Sequence, residues 1–591
     1  MQTVLIDSLE KLMGQGVPRP ASLIGGVHAS GFLGERLSLQ IAVRLETEEG
    51  LADALSDGAD EGPAPRGVGM TAAVEVELLG DLAAHACVSA VRRVPVSAPA
   101  PEDADEHYLV TEPGEYPDVL EPLAGTPGAG EAGTGTADRT AYAVALTPGR
   151  WEALWIDVMA KDAQLAGAHE LRVRLRPAGA GSSDAGPEDW AEHTIRVQIH
   201  PHHLPPLEIV NTHWFHADSL STYYDVEVFS ERHWELIEVF LRSAREMDVN
   251  SVLTPTWTPP LDTAEGHKRP TVQLVGISEG AEGGYSFDFT HLDRWLAICR
   301  EVGMASIEVA HLFTQWGARF TPAIQVRTAA GIEDRFGWHV AATDPEYRRL
   351  VQALIPALRA HLAATWEGRV LWHISDEPGV ASLDDYRAAK EQVADLLEGA
   401  DVVDALSSLE FAEQGVVDIP IVATNHVEPF LEAGYTPWVY YCVSQTREVA
   451  NRFIALPSVR NRVLGRQLFV HDAPGFLHWG YNFWWAQFAL RPIDPFEETC
   501  AGGGFFGGDS FAVYPGPDGT PWVSLRHRVF AQGMADHRAL TWLASLIGRE
   551  GAASLVDEGG TLTYAHFGYD APEHLRARRA VDEAILEALG S

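Results

Sequence analysis

Up to about residue 205 the chain alternates apolar and polar positions in short bursts, at 37–45, 73–79, 140–146, 171–175 and 194–199. A period of two, interrupted by turn-rich stretches, predicts an antiparallel β-sandwich in which each strand buries one face. Two segments break the pattern, 99–138 and 179–187, both dense in Gly, Ala, Pro and acidic residues. Such composition buries little apolar surface, so both are expected to be mobile surface loops. The prolines of 201–206 predict a stiff linker, and His202 and His203 between them read as linker rather than metal site.

From Leu207 the pattern becomes an apolar strand, a polar or aromatic strand end, and then a helix. Strands are expected over 208–215, 250–255, 306–313, 370–376, 402–406, 421–425, 438–443 and 475–484. Helices are expected over 230–247, 291–302, 345–365, 382–398 and 446–456, with Ser382 and Asp385 at capping-box spacing. Trp234, Ile237, Phe240, Leu241 and Ala244 share one face of the first helix. Eight alternations over about 280 residues make a TIM-like (β/α)8 α/β barrel the economical solution, with functional residues at the C-terminal strand ends. The expected domains are an N-terminal β-sandwich over 1–205 and a catalytic barrel over 206–504. Residues 505–591 form a small appended region with strands near 510–514 and 522–526, followed by helices.

Charge narrows the partners. Lys and Arg total 43 against 83 Asp and Glu, a formal net charge of −40, which argues against nucleic acid or an anionic membrane, since both require positive charge. The four cysteines, Cys87, Cys299, Cys442 and Cys500, lack disulfide-framework or zinc-knuckle spacing. The first sixteen residues lack a basic region followed by an apolar run, and no stretch approaches the roughly 20 apolar residues of a membrane span. A cytoplasmic protein is expected, monomer or homodimer, acting without a cofactor on a small neutral molecule.

The fourth predicted strand ends in Val370-Leu371-Trp372-His373-Ile374-Ser375-Asp376-Glu377-Pro378. Two adjacent acids at a strand end raise each other's proton affinity, which makes them a candidate acid/base device; solvent-facing helix capping is the plainer alternative. The other strand ends carry His213, Trp214, His216 and Asp218; Trp257 and Asp262; His311, Gln315 and Trp316; Asn425 and His426; Trp438, Tyr440 and Tyr441; and His478, Trp479, Tyr481 and Asn482. Neutral hydrogen-bonding groups and broad aromatic faces around one carboxylate pair suit a sugar, whose hydroxyls need partners and whose C–H faces pack on indoles. His213, His311 and His373 could instead line up as metal ligands, but they lack short local spacing, and no metal is expected.

Several motifs carry a resemblance. Leu253-Thr254-Pro255, the run from Thr258 to Thr263, the run from Ala310 to Gly317, the strand from His373 to Pro378, the run from Gly475 to Phe483, and the run from Gly508 to Gly516 together resemble glycoside hydrolase family 123, also catalogued as domain of unknown function 4091. The resemblance spans about 207–550, with Asp-Glu-Pro and Trp-Gly-Tyr-Asn-Phe its most specific parts. It implies a sandwich-plus-barrel scaffold and β-N-acetylgalactosaminidase activity by a retaining mechanism in which the substrate's own 2-acetamido group is the nucleophile. By that resemblance Asp376 holds the acetamide N–H and Glu377 is the acid/base. Tyr440 or Tyr441 bonds the acetamide oxygen, only one of them facing inward because side chains alternate along a strand. His213, Asp218, Trp257, His311, Gln315, Trp316, His373, Asn425, Trp438, Trp479 and Asn482 are the further substrate-binding candidates. Two alternatives stay open beside the metal hydrolase: another glycosidase pairing Glu377 with Asp218 or Asp262, and a non-catalytic carbohydrate-binding protein.

Overall fold

The computed structural model describes residues 1–14, 16–46, 71–128, 139–178 and 190–590. The N-terminal region forms two sheets. One has five antiparallel strands in the order Gln2–Asp7, Leu37–Arg44, Trp151–Val158, Ala86–Val96 and Gly114–Pro122. The other has six, in the order Ala29–Leu33, Ala191–His203, Gly167–Pro177, Ala72–Leu79, Arg139–Leu146 and Thr126–Gly128. Ile41, Leu154 and Val88 from the first sheet share one apolar core with Val76, Val173 and Val197 from the second. The period-two pattern arises there, because alternate residues point into that core.

Three expectations for this region need correction. The first pair of the six-stranded sheet, Ala29–Leu33 with Ala191–His203, is parallel rather than antiparallel. His202 and His203 end that long strand and do not belong to a linker. Most of the segment expected as a loop over 99–138 is built into the protein. Gly114–Pro122 is an edge strand, and Tyr108 packs with Phe453, Ala455 and Leu456. The remainder of that segment, 129–138, and the second expected loop over 179–187 lie outside the described residues.

The second region is a closed barrel of eight parallel strands: Val210–His213, Ser251–Thr254, Ser306–Val309, Arg369–Trp372, Asp401–Leu406, Ile419–Ala423, Trp438–Tyr440 and Gly475–His478. Each lies within or beside a segment expected from its apolar run, because strands covered on both faces carry continuous hydrophobic sequence. Every connection between successive strands carries a helix. The longest are Glu231–Arg245, Thr290–Val302 and Pro345–Thr365. The first starts at Ser230, whose hydroxyl accepts from the His233 N–H. The third starts at Asp344, whose carboxylate accepts from the Glu346 N–H ahead of Pro345.

Two features of the connections depart from expectation. A helix over 446–456 does not form. Asn451 instead donates to the Cys442 and Gln445 carbonyls at 2.9 and 2.7 Å, and the Arg452 guanidinium is drawn inward to His213, His478 and the Gly480 carbonyl. The helical segments of that connection are Ser458–Arg462 and Leu464–Val470. Ser382 makes no capping bond; its hydroxyl donates to the Gly379 carbonyl at 2.8 Å. A four-stranded sheet of Gly276–Glu279, Tyr285–Asp288, Ile324–Thr328 and Gly331–Phe336 grows from the connections after the second and third barrel strands.

After the barrel, a hairpin of Val513–Pro515 and Pro521–Val523 leads into helices Leu525–Ile547, Arg549–Ser554 and Ala571–Leu589. Arg526 on the first of these meets Asp118 of the five-stranded sheet through two hydrogen bonds of 2.9 and 2.8 Å, both side chains fully buried. Among the described residues no helix is long and apolar enough to cross a membrane.

Candidate active site

The barrel interior is layered. At its base Trp438 points inward from the start of the seventh strand, and Gly475 makes room for it: a Cβ there would fall 2.4 Å from the indole ring. Above lies a charged layer. Glu308, fully buried, accepts hydrogen bonds from Thr212, Ser251 at 2.8 Å, Trp214 at 3.0 Å and His373 at 3.0 Å. On its other nitrogen His373 faces Asp404 at 3.6 Å, and Asp404 also accepts from Tyr386 and the backbone N–H groups of Ile374 and Ser375. Burial alone would discharge the imidazole, yet the two carboxylates outweigh it and raise the His373 pKa to about 9. His311 stacks on His373 at 4.4 Å between ring centroids, and burial together with that cationic neighbour holds it neutral.

Above this layer opens a cavity of about 170 Å³ lined by Trp214, Leu261, Asp262, Gln315, Trp316, Asp376, Glu377, Ala405, Tyr440, Cys442, Val443, Leu477, Trp479, Gln487 and Phe505. No Lys or Arg is among them. Asp376 and Glu377, three and four residues beyond His373, both reach it. Glu377 sits at φ +44°, a left-handed backbone conformation that a side chain of this kind rarely adopts. Its N–H donates to the Ala405 carbonyl at 3.1 Å, and the Asp376 carbonyl accepts from the Trp316 N–H at 2.7 Å. This sharp turn is what allows two adjacent residues to present carboxyls to one space, where a regular strand would send them to opposite faces.

The carboxyls are poorly compensated. Burial and then the Glu377 charge push the Asp376 pKa well up, with His373 offsetting part of the rise. Burial also raises that of Glu377, opposed by a 2.7 Å hydrogen bond from the Tyr440 hydroxyl to Oε1 and by the Cys442 thiol at 3.9 Å. Asp262, which accepts from the Phe488 N–H at 2.9 Å, is raised by burial to about 7. Behind the Trp479 wall, fully buried Asp509 accepts from the indole N–H at 3.0 Å and is likewise raised by burial to about 7. A pocket of carboxyls with raised proton affinity and aromatic walls is equipped for proton transfer to a neutral, hydroxyl-rich ligand.

The sequence model of the glycoside hydrolase 123 catalytic domain matches residues 214–543, the stretch that contains all of these cavity residues. The chain belongs to glycoside hydrolase family 123. It is therefore a glycosidase. Its fold is similar to that of a family 123 glycoside hydrolase from Clostridium perfringens, at a TM-score of 0.69 and 11% identity, covering 100% of this chain and 99% of that one. A β-glycosidase from Bacteroides vulgatus aligns at a TM-score of only 0.25 and 8% identity, over 85% of this chain and 52% of that one. Comparison with curated proteins finds no match.

Of the site residues expected from sequence, the hydrolase brings Asp376, Glu377, Gln315, Trp316, Tyr440 and Trp479 to the cavity. His311 and His373 lie beneath its floor. The rest are elsewhere, each for a visible reason. Strand alternation sends Thr212 and Trp214 inward and His213 outward, where it accepts from Arg452 at 2.9 Å and packs on Phe530. Asp218 is locked to Arg269 by contacts of 2.5 and 2.8 Å, both groups buried. Trp257 is core, its indole donating to the His311 carbonyl at 2.8 Å. Trp438 closes the opposite end of the barrel. Asn425 is exposed and accepts from Gln445. Asn482 is spent on the His216 backbone, and Tyr441 is buried in the outer core. The three histidines of the alternative metal-hydrolase reading do not converge, and among the described residues no group of His, Cys, Asp or Glu is arranged to hold a metal ion.

Cys442, Val443, Gln487 and Phe505 were not anticipated. Cys442 was within reach, since it lies two residues beyond Tyr440 and so shares its inward face. Gln487 and Phe505 come from irregular segments after the eighth strand, where no periodicity marks direction.

Proposed function

We propose that the protein is a β-N-acetylgalactosaminidase working by a retaining, substrate-assisted mechanism, on a (β/α)8 barrel preceded by a β-sandwich. The observation that carries this reading is the shared cavity of Asp376 and Glu377. Most retaining glycosidases hold nucleophile and acid/base on carboxyls about 5 Å apart across the scissile bond. Sequence neighbours on one turn fit that arrangement poorly, and fit well a sugar that brings its own nucleophile.

In the first step the acetamide oxygen attacks the anomeric carbon, the bond to the leaving oxygen breaks, and Glu377 gives that oxygen its proton. Asp376 accepts the acetamide N–H and balances the positive charge that develops on the oxazolinium ring. In the second step Glu377, now a carboxylate, takes a proton from water as the water attacks the same carbon and reopens the ring. Before substrate binds, Tyr440 and Cys442 favour charge on Glu377, so Asp376 holds the shared proton. An acetamide N–H presented to Asp376 favours the charged form there and moves the proton to Glu377, where it is needed. The expected substrate is a terminal β-linked N-acetylgalactosamine; the solved Clostridium perfringens relative, described in terms of glycolipid glycan hydrolysis, supports a glycan substrate.

A second reading has its own support, because Asp262 lines the same cavity and could serve as a separate nucleophile on a sugar lacking the acetamide. Hydrolysis of 4-nitrophenyl β-N-acetylgalactosaminide, its gluco epimer and the 2-hydroxy galactoside separates the two. Substrate assistance requires the 2-hydroxy sugar to be slower by orders of magnitude, and equal rates exclude it.

A further inference from the structure

The cavity is small. Sites that enclose a drug-sized ligand span about 300–1,000 Å³, whereas this one offers about 170 Å³, so whatever follows the glycosidic bond must lie across the rim. One feature there is unexplained by packing. Trp316 is 44% exposed, while Trp214, Trp257 and Trp295 are almost wholly buried. Its ring meets that of Phe488 at 88° with centroids 5.7 Å apart, forming an L-shaped corner. Both residues sit at positive φ, +61° and +62°, which is a true outlier for bulky side chains and persists only where surrounding contacts impose it.

Those contacts lead to the carboxylate residues. The Trp316 N–H donates to the Asp376 carbonyl at 2.7 Å, and the Phe488 N–H donates to the Asp262 carboxylate at 2.9 Å. Each ring is thus held in register with an acid of the cavity by a backbone bond.

We propose that Trp316 and Phe488 form a leaving-group platform that receives a neutral pyranose of the aglycone next to the scissile bond. An aromatic corner offers faces on which sugar C–H groups pack, and a cavity lined by carboxyls with no Lys or Arg offers no partner for an anionic unit. The proposal rests on the glycosidase reading above and adds a binding site for the part of the substrate that reading leaves undefined.

The test compares two donors of the same sugar, β-N-acetylgalactosaminyl fluoride, which has no aglycone to bind, and methyl 3-O-(β-N-acetylgalactosaminyl)-galactoside. In Trp316→Gly, whose residue tolerates the left-handed backbone, and in Phe488→Ala, kcat/KM for the disaccharide is expected to fall at least tenfold further than that for the fluoride. Trp316→Phe should restore most of the ratio. Equal loss on both donors, or no loss on the disaccharide, overturns the platform. Should the wild type cleave neither donor, the proposed sugar is wrong, and the platform is then judged by saturation-transfer NMR with methyl β-galactoside. That signal should appear in the wild type and vanish in Trp316→Gly; its absence from the wild type, or its persistence in the variant, refutes the site.

Discussion

Two acidic clusters lie one above the other in the barrel and differ in the partners they are given. In the lower, Glu308 and Asp404 face a protonated His373 and take up hydroxyl, indole and backbone donors. In the upper, Asp262, Asp376 and Glu377 share a cavity with no cation in its lining. His373 and Asp376 are three residues apart in the chain, yet one supplies a cation to the layer around it and the other faces a cavity whose lining has none. Burial is common to both, so burial alone does not mark a functional acid; the supply of countercharge does.

Removing one group from each layer should therefore give opposite results. Glu377→Gln is expected to cut turnover of alkyl or sugar leaving groups by about 10²–10⁴-fold, and activated aryl or fluoride donors far less, because only the former need a proton in the transition state. Its thermal midpoint should stay level or rise, since an uncompensated carboxyl is lost. A fall of several degrees would move Glu377 into the structural layer. His373→Gln strands two buried carboxylates and should cost about 3–5 kcal/mol in urea unfolding.

Asp376→Asn is expected to lower kcat on all acetamido donors by about 10²–10³-fold, the scale of losing one preorganised electrostatic contact. A 2-hydroxy donor, if cleaved at all, should be indifferent to it. Smaller effects come from protonation. His373 titrates above its ordinary value of about 6.5, so its contribution to stability is complete below that pH and disappears as pH rises through about 9. Urea midpoints at pH 6 and pH 9.5 should show the loss, and His373→Gln should lack it. Tyr440→Phe removes a hydrogen bond that favours the charged form of Glu377. The basic limb of the kcat/KM profile should then shift to higher pH, with a several-fold change in rate; a downward shift would contradict the assigned contact.

The two layers also mark how far the residues could be read without coordinates. All eight barrel strands were legible because each is an apolar run between turn residues. The acid pair was legible as an anomaly at the end of one of them. Depth along the barrel axis was not: Trp438 and Tyr440 share a face of one strand, and only the ring of neighbouring strands shows that the first seals the base while the second meets Glu377. Partners distant in sequence were equally hidden. Arg269 lies 51 residues from Asp218 and takes it out of the site, and Arg452 dissolves an expected helix by turning inward to two histidines. In each case a long-range polar contact outweighed a local periodicity.

The N-terminal region is tied to the segments behind the cavity walls through a strap that was expected to be a loop. The Tyr108 hydroxyl donates to the Thr446 carbonyl at 2.8 Å, Asp105 pairs with buried Arg460 at 2.7 Å, and the Leu109 N–H donates to the Ala455 carbonyl at 3.0 Å. On the other side, Thr499 donates to the Pro95 carbonyl at 2.7 Å and the Gly507 N–H to the Ala98 carbonyl at 3.1 Å, bracketing Phe505. The segments bearing Cys442 and Phe505 thus hang from the preceding sheets like two panels of a tent from one pole. A fragment beginning at residue 207 would keep every acid of the cavity and lose the supports of the walls around them, so enzyme engineers who trim this protein to its barrel should expect a chain with its chemistry present and its pocket weakened.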